Sequence, residues 1–272
     1  MVESIINKTV YPHTVNSLAD DLKILGVKED SIVLVHSSLS QMGWVNGGAM
    51  TVVEALMQVV NKEIGTIIMP SQTMEWSEPS KWNHPAVPKK WWDMIRETMP
   101  AFDKDKTPCL AMGVIADLFR TYPDVKRSRH PGVSFTAWGK HADYITADHA
   151  LDFGLGEGSP LKKLYDLDAH VLAIGTDYDT STAFHLGEYR ALNAPLQTEG
   201  TAMLENGERV WKTYTDIEMD ENQFLIIGQQ MEKEKKVQIG IVGDAKSRLY
   251  SVREAVDRSE DYFNTYRQKA QK

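Results

Sequence analysis

The sequence has one cysteine, Cys109, in 272 residues, so no internal disulfide framework can staple the fold and stability must come from packing. No apolar run approaches the roughly 20 residues of a membrane-crossing helix. The N-terminus also lacks the basic, apolar and small-residue succession of a secretory signal. The expectation is a cytoplasmic protein with no membrane contact. Positive charge is in deficit. A formal net charge of −8 argues against a nucleic-acid partner and is compatible with a cationic ligand. No cluster of His, Cys, Asp and Glu has metal-ligand spacing. Repeats, low-complexity tracts and Pro/Gly/Ser-rich linkers are all missing, so residues 1–272 read as a single domain large enough to bury a sizeable core. Nothing in the sequence fixes an oligomeric state.

What is present is an alternation of strand and helix signals. Helical periodicity over Val15 to Gly26 is followed by a buried-strand run at Ser31 to Val35. A helix is expected over Thr51 to Asn61, then a strand at Thr66 to Met69 and another at Val171 to Ile174. Such alternation favours an α/β core with layered helices. Between Pro70 and Pro108 lies a polar, tryptophan-rich insertion with a helical piece near Lys89 to Met99; insertions of this length are usually functional. Leu110 to Arg120 reads as one helix. Asn206-Gly207 between Thr198 to Leu204 and Val210 to Thr215 predicts a hairpin. A helix near Asp220 to Glu232, a strand at Val237 to Val242 and a polar helix from about Ser247 to Arg267 follow.

The most informative stretch is Gly175 to Ala191, GTDYDTSTAFHLGEYRA. Gly175 ends a strand, and Asp179, Thr180 and Ser181 supply N-cap chemistry for a helix. On that helix His185 and Glu188 share a face, so the carboxylate can hold one ring nitrogen and leave the other free to take a proton. That is the minimum apparatus of a general base, although a solvated surface pair has the same spacing. A zinc protease is excluded, because Tyr189 stands where a second histidine is needed.

Other segments carry chemistry-bearing residues. Val35-His36-Ser37-Ser38-Leu39-Ser40 follows the first strand, where a polar turn presents backbone N–H groups and hydroxyls outward; helix capping is the simpler alternative. Pro70-Ser71-Gln72-Thr73 ends the second strand, with Thr73 able to point into the same cleft. Then come Phe102-Asp103-Lys104-Asp105-Lys106-Thr107-Pro108 and Arg127-Ser128-Arg129-His130-Pro131, whose His130 either lines the cleft or holds a turn through its ring, the second being slightly favoured. The glycines of Phe153 to Leu161 match neither a P-loop nor a Rossmann fingerprint, and Glu157 would oppose a phosphate. Ser159 and Pro160 there read as a helix start. Cys109 has the choice of acyl-accepting thiol or small packed residue, and the second is favoured.

Taken together, these segments resemble the antibiotic N-acetyltransferase family, the aminoglycoside 3-N-acetyltransferases, over most of the chain. The resemblance implies a layered α/β/α fold distinct from the GNAT fold, here with a C-terminal β-hairpin and helices. It implies acetyl-CoA as donor, the 3-amino group of a 2-deoxystreptamine aminoglycoside or a related amine as acceptor, and His185 and Glu188 in the catalytic positions. It also puts His36, Ser37, Ser38, Leu39 and Ser40 at the coenzyme A site, with Thr73, Lys104 and Thr107 on the cofactor side. Lys106, Arg120, Arg127 and Arg129 are further candidates for its phosphates. A polyamine needs an acidic wall, for which Glu75, Asp152, Glu157, Asp177 and Asp179 are available, with stacking on Trp76 and Trp82. One departure is Gly187, where relatives typically carry alanine; a looser helix or a closely approaching substrate would account for it. Two rivals stand beside this reading. A serine hydrolase lacks its nucleophile elbow here, whereas a coenzyme A-binding relative with little aminoglycoside activity, or with another amine acceptor, keeps the same motifs.

Overall fold

The chain is seen here as a computed structural model that describes residues 2–270. Its strands in chain order are β1 (Ile32–Ser37), β2 (Thr66–Pro70), β3 (Lys126–Arg127), β4 (Phe135–Gly139), β5 (His170–Ile174), β6 (Leu196–Glu205), β7 (Glu208–Ile217), β8 (Val237–Val242) and β9 (Ala245–Ser251). Its helices are α1 (Val2–Lys8), α2 (Val15–Leu25), α3 (Ala49–Val59), α4 (Trp92–Thr98), α5 (Val114–Phe119), α6 (Ala142–Thr146), α7 (Pro160–Asp166), α8 (Ala183–Arg190), α9 (Phe224–Lys233) and α10 (Val252–Ala270).

The short apolar runs become the buried centre of a seven-stranded sheet ordered β3-β4-β2-β1-β5-β9-β8. β1 pairs in parallel with β2 on one side and β5 on the other; β4 and β9 join them antiparallel. Both faces of these strands are apolar because both are covered. Val33, Val35, Ile67, Met69, Leu172 and Ile174 pack beneath α2, α3 and α5. Their alternating neighbours Leu34, Ile68 and Val171 pack with Phe135 and Tyr250 beneath α6 to α10. The result is a layered α/β/α architecture with β6 and β7 as a separate two-stranded hairpin.

Local chemistry sets several element ends. Thr14 and Ser17 form a capping box at the start of α2, and Gly26 ends it in the left-handed region at φ 112°. Ser159 accepts from Leu161 N and Pro160 opens α7, as expected. Three expectations are corrected. Leu110 to Arg120 is not one helix: a 3₁₀ turn over Leu110–Met112 is separated from α5 by Gly113 at φ 85°. Ser247 to Ser251 is strand rather than helix, because β9 fills the sheet between β5 and β8, and only from Val252 does α10 begin. The residues Asp179 to Ser181 do not cap α8. Asp177 caps a 3₁₀ turn over Tyr178–Thr180, and Ser181 accepts a hydrogen bond from Tyr250 instead.

The tryptophan-rich insertion is anchored to the hairpin. Lys81 bridges to Glu199 at 2.8 Å, and Arg209 donates to the carbonyl of Met99 at 3.1 Å. Trp76 and Trp82 spend their indole N–H groups on Pro100 O and Ser77 Oγ.

Candidate active site

The C-terminal ends of β1, β2 and β5 point the same way, and the segments leaving them surround a cavity of about 390 Å³. This is where open parallel sheets place ligands. His36 and Ser37 line it from β1, Pro70 and Gln72 from the end of β2, Thr176, Asp179 and Thr180 from the loop after β5, and Thr182 and His185 from the start of α8. Ala111 to Gly113 and Ala116 form another wall, and Glu221 closes it from the turn before α9. A groove of about 470 Å³ adjoins it, sharing Ser37 and Gly113 and running along Ser38, Leu39, Ser40, Gly43, Trp44 and Gly48. The His36 to Ser40 turn therefore bridges both spaces.

His185 sits one turn into α8 with its ring packed edge-on to Phe224 at 4.8 Å between centroids. Its Nδ1 lies 3.0 Å from Glu188 Oε2. A carboxylate at that distance holds the proton on Nδ1 and leaves the lone pair on Nε2, for which no protein partner occurs among the described residues. Glu188 is fully buried and well satisfied: Oε1 accepts from Asp220 N at 2.8 Å and faces Arg267 Nη2 at 3.4 Å. Arg267 also donates to the carbonyls of Glu188 and Ala191, closing the end of α8. A carboxylate so compensated is stable inside the protein, whereas an isolated one is not.

His36 differs from His185. It is 8% exposed, and its Nε2 is a buried polar atom without a protein partner among the described residues; Thr176 Oγ1, in the same wall, is another. Burial, reinforced by nearby His185, lowers the His36 pKa to about 4.

Of the other residues anticipated from sequence, Asp179 lines the cavity. Thr73 and Thr107 do not: the first is buried and donates to Pro131 O, and the second accepts from Asp103 N at 3.0 Å, so both hydroxyls serve the fold. Lys104 pairs with Asp105 at 2.6 Å and lies with Arg129 in a different depression. Lys106 pairs with Asp103 and Arg120 with Asp117. Arg127 is buried and donates to Ser71 O and Ser134 Oγ. The acidic wall is also smaller than expected. Glu157 holds Arg190 at 2.6 Å, Asp152 accepts from Thr215 N at 2.7 Å and fastens the hairpin, and Asp177 faces Arg248 at 3.3 Å. Glu75 is exposed outside the cavity lining, as are the partly buried Trp76 and Trp82. Cys109 is buried with its thiol pushed up to about 11 by burial, which leaves little thiolate for nucleophilic work. In place of the missing acids the structure supplies Glu221, and in support of Glu188 it supplies Asp220 and Arg267. Neither Glu221 nor Arg267 carries a local sequence signal that marks it.

Gly187 has a packing explanation. A Cβ there would lie 2.2 Å from Val256 O and 2.6 Å from Glu260 N. The glycine lets α10 rest directly on α8, which places Arg267 beside Glu188; neither a loose helix nor an approaching substrate is involved.

No helix among the described residues is long and apolar enough to cross a membrane. Residues 34–264 match the sequence model of the family described as aminoglycoside 3-N-acetyltransferase. The chain is 50% identical over 263 residues, 96% of each protein, to the SPbeta prophage-derived aminoglycoside N(3')-acetyltransferase-like protein YokD of Bacillus subtilis. The crystal structure of YokD superposes with a TM-score of 0.96 at 49% identity, covering 98% of this chain and 99% of that one. AAC-IIIb, solved as a binary complex with CoASH, gives 0.84 at 28% identity over 94% and 98%. AAC-VIa bound to sisomicin gives 0.83 at 29% identity over 94% and 99%.

Proposed function

Because the chain belongs to the aminoglycoside 3-N-acetyltransferase family, we propose that it transfers the acetyl group of acetyl-CoA to the amine of a cationic aminosugar of the aminoglycoside type, with His185 as general base and Glu188 as its orienting partner. The observation that carries this reading is the His185–Glu188 pair, held at 3.0 Å in the wall of the cavity that the Ser37 turn opens into the adjoining groove.

The residues fit the donor. Thioester and pantetheine need a long, partly apolar channel, and the groove lined from Trp44 and Gly48 to Ser37 is of that kind. The CoASH complex of AAC-IIIb supports the same class of ligand. Acceptor chemistry follows from the opposite wall, where Asp179 and Glu221 put two carboxylates beside Thr180 and Thr182; a polycation is drawn to such a wall by fields that salt screens. The sisomicin complex of AAC-VIa points to that substrate class.

An alkylammonium cannot attack a thioester until it loses a proton. One proton leaves the ammonium for solvent; as the neutral amine attacks, the Nε2 lone pair of His185 accepts the second, and the buried Glu188 carboxylate stabilises the imidazolium that results. The nitrogen–carbon bond forms, the carbon–sulfur bond breaks, and the imidazolium returns its proton to the departing thiolate. His185 ends as it began. A second reading, coenzyme A binding with another amine as acceptor, is favoured by the "-like" designation of the 50% identical YokD. Thiol release from acetyl-CoA, measured against a panel of 2-deoxystreptamine antibiotics with a no-acceptor control, separates the two. Acceptor-dependent release with 3-N-acetylated product supports the first. Saturable acetyl-CoA binding without release from any panel member supports the second.

A further inference from the structure

His36 is the last but one residue of β1; it lines the same cavity as His185, which lies near it, and is followed by Ser37, which lines both the cavity and the adjoining groove. It is more than nine-tenths buried, yet neither ring nitrogen is engaged by any of the described residues. Nε2 is sealed from solvent. Nδ1 is not among the fully buried orphan atoms, and because the residue lines the cavity, Nδ1 is the nitrogen that meets it. A buried N–H without a partner is rarer and costlier than a buried lone pair. The tautomer that fits therefore keeps the lone pair on Nε2 and turns the Nδ1–H into the cavity.

We propose that His36 is a second catalytic residue, whose Nδ1–H donates to the carbonyl oxygen of the thioester as negative charge builds on it. This rests on the acetyl-transfer reading above. When the amine nitrogen bonds to the carbonyl carbon, the π pair moves to oxygen and the hydrogen bond from His36 strengthens; when the carbon–sulfur bond breaks, the pair returns and the bond relaxes. No proton changes hands at His36. Its lowered pKa fits that role, since a ring neutral in the working range donates through N–H and does not compete with His185 as a base. A donor placed for the oxyanion in a water-poor site contributes about 10²–10³ in rate.

The test is isotope-edited infrared spectroscopy of acetyl-CoA carrying a ¹³C-labelled carbonyl, bound to the full chain without acceptor, beside steady-state kinetics. Wild-type protein should move the carbonyl band to lower wavenumber than in free acetyl-CoA. His36→Leu should abolish that shift and lower kcat by about 10²–10³-fold, with the KM for acetyl-CoA changing far less. His36→Asn, whose amide nitrogen overlays Nδ1, should retain much of both the shift and kcat. His36→Gln, which reaches toward the sealed Nε2 position, should not. Saturable binding with an unshifted band in wild type, or a shift and kcat that survive His36→Leu, overturns the assignment while leaving acetyl transfer intact. Absence of saturable acetyl-CoA binding to folded wild type overturns the acetyl-transfer reading and this role with it.

Discussion

Two buried histidine centres in this molecule use the same side chain to opposite ends. In the first, His185 gives Nδ1 to Glu188 and keeps Nε2 for the cavity. In the second, beneath the hairpin, both nitrogens are spent on the protein. His130 accepts at Nδ1 from Gly132 N and Val133 N and donates from Nε2 to Leu151 O at 3.1 Å. His149, 4.9 Å away between ring centroids, accepts from Ser128 Oγ and donates to Gly154 O. Burial pushes their pKa values down, to about 4 for His130 and about 3 for His149. Neither ring has a nitrogen left to move a proton. Burial alone therefore does not leave a histidine able to move a proton; an unspent nitrogen facing a cavity does.

The largest effect that would break this contrast is kinetic. His185→Ala should lower amine acetylation by about 10²–10⁴-fold while acetyl-CoA affinity, followed by calorimetry, stays near wild type. Turnover near wild type, with an acceptor whose transfer is limited by chemistry, would remove His185 from the base role. The corresponding change in the second centre, His130→Ala, should do the reverse. It strands the N–H groups of Gly132 and Val133 and the carbonyl of Leu151, at a cost of about 1–3 kcal/mol for each group left unsatisfied. The urea midpoint should fall, and kcat per folded molecule should hold.

A pH titration sharpens the comparison further. The folded His130 takes up its proton near 4, whereas an unfolded histidine does so near 6.5. Its contribution to stability is complete above about 6.5 and is lost as pH falls toward 4, with a slope of up to about 1.4 kcal/mol per pH unit. Unfolding free energy measured from pH 7 to 4 should decline, and His130→Gln should flatten the decline. An unchanged slope would mean that His130 is protonated in the folded protein. The smallest effect concerns the acceptor wall. Asp179→Asn combined with Glu221→Gln should raise the acceptor KM several-fold more than the acetyl-CoA KM, and the difference should shrink at high salt, where the Debye length falls well below about 8 Å. Glu157→Gln should leave both KM values near wild type, because Glu157 is occupied by Arg190.

Local sequence was a good guide wherever a short-range rule decides structure. The strand runs of β1, β2 and β5, the hairpin at Asn206-Gly207 and the Ser159-Pro160 helix start all follow from side-chain period, turn chemistry and capping. The pairing of His185 with Glu188 was legible for the same reason, since three positions on a helix make neighbours whatever the rest of the chain does. Ser247 to Ser251 was misread because its mixture of Ser, Arg, Leu and Tyr has no decisive period, and its conformation is set by β5 and β8 on either side.

What the sequence alone determined, then, is the set of local elements and the pairing of His185 with Glu188. Tertiary structure decided which polar groups remain unspent. Thr73, Asp152 and Glu157 are the right residue types for ligand contact, but each meets a protein partner far away in sequence before it meets a ligand. Glu188 can stay buried as a carboxylate because Asp220 N, 32 positions away, donates to it and Arg267, 79 positions away, is brought to it by a helix that packs directly on Gly187. The physical reason is that hydrogen-bonding capacity belongs to a residue type, whereas its availability depends on what the folded chain places within about 3 Å of it.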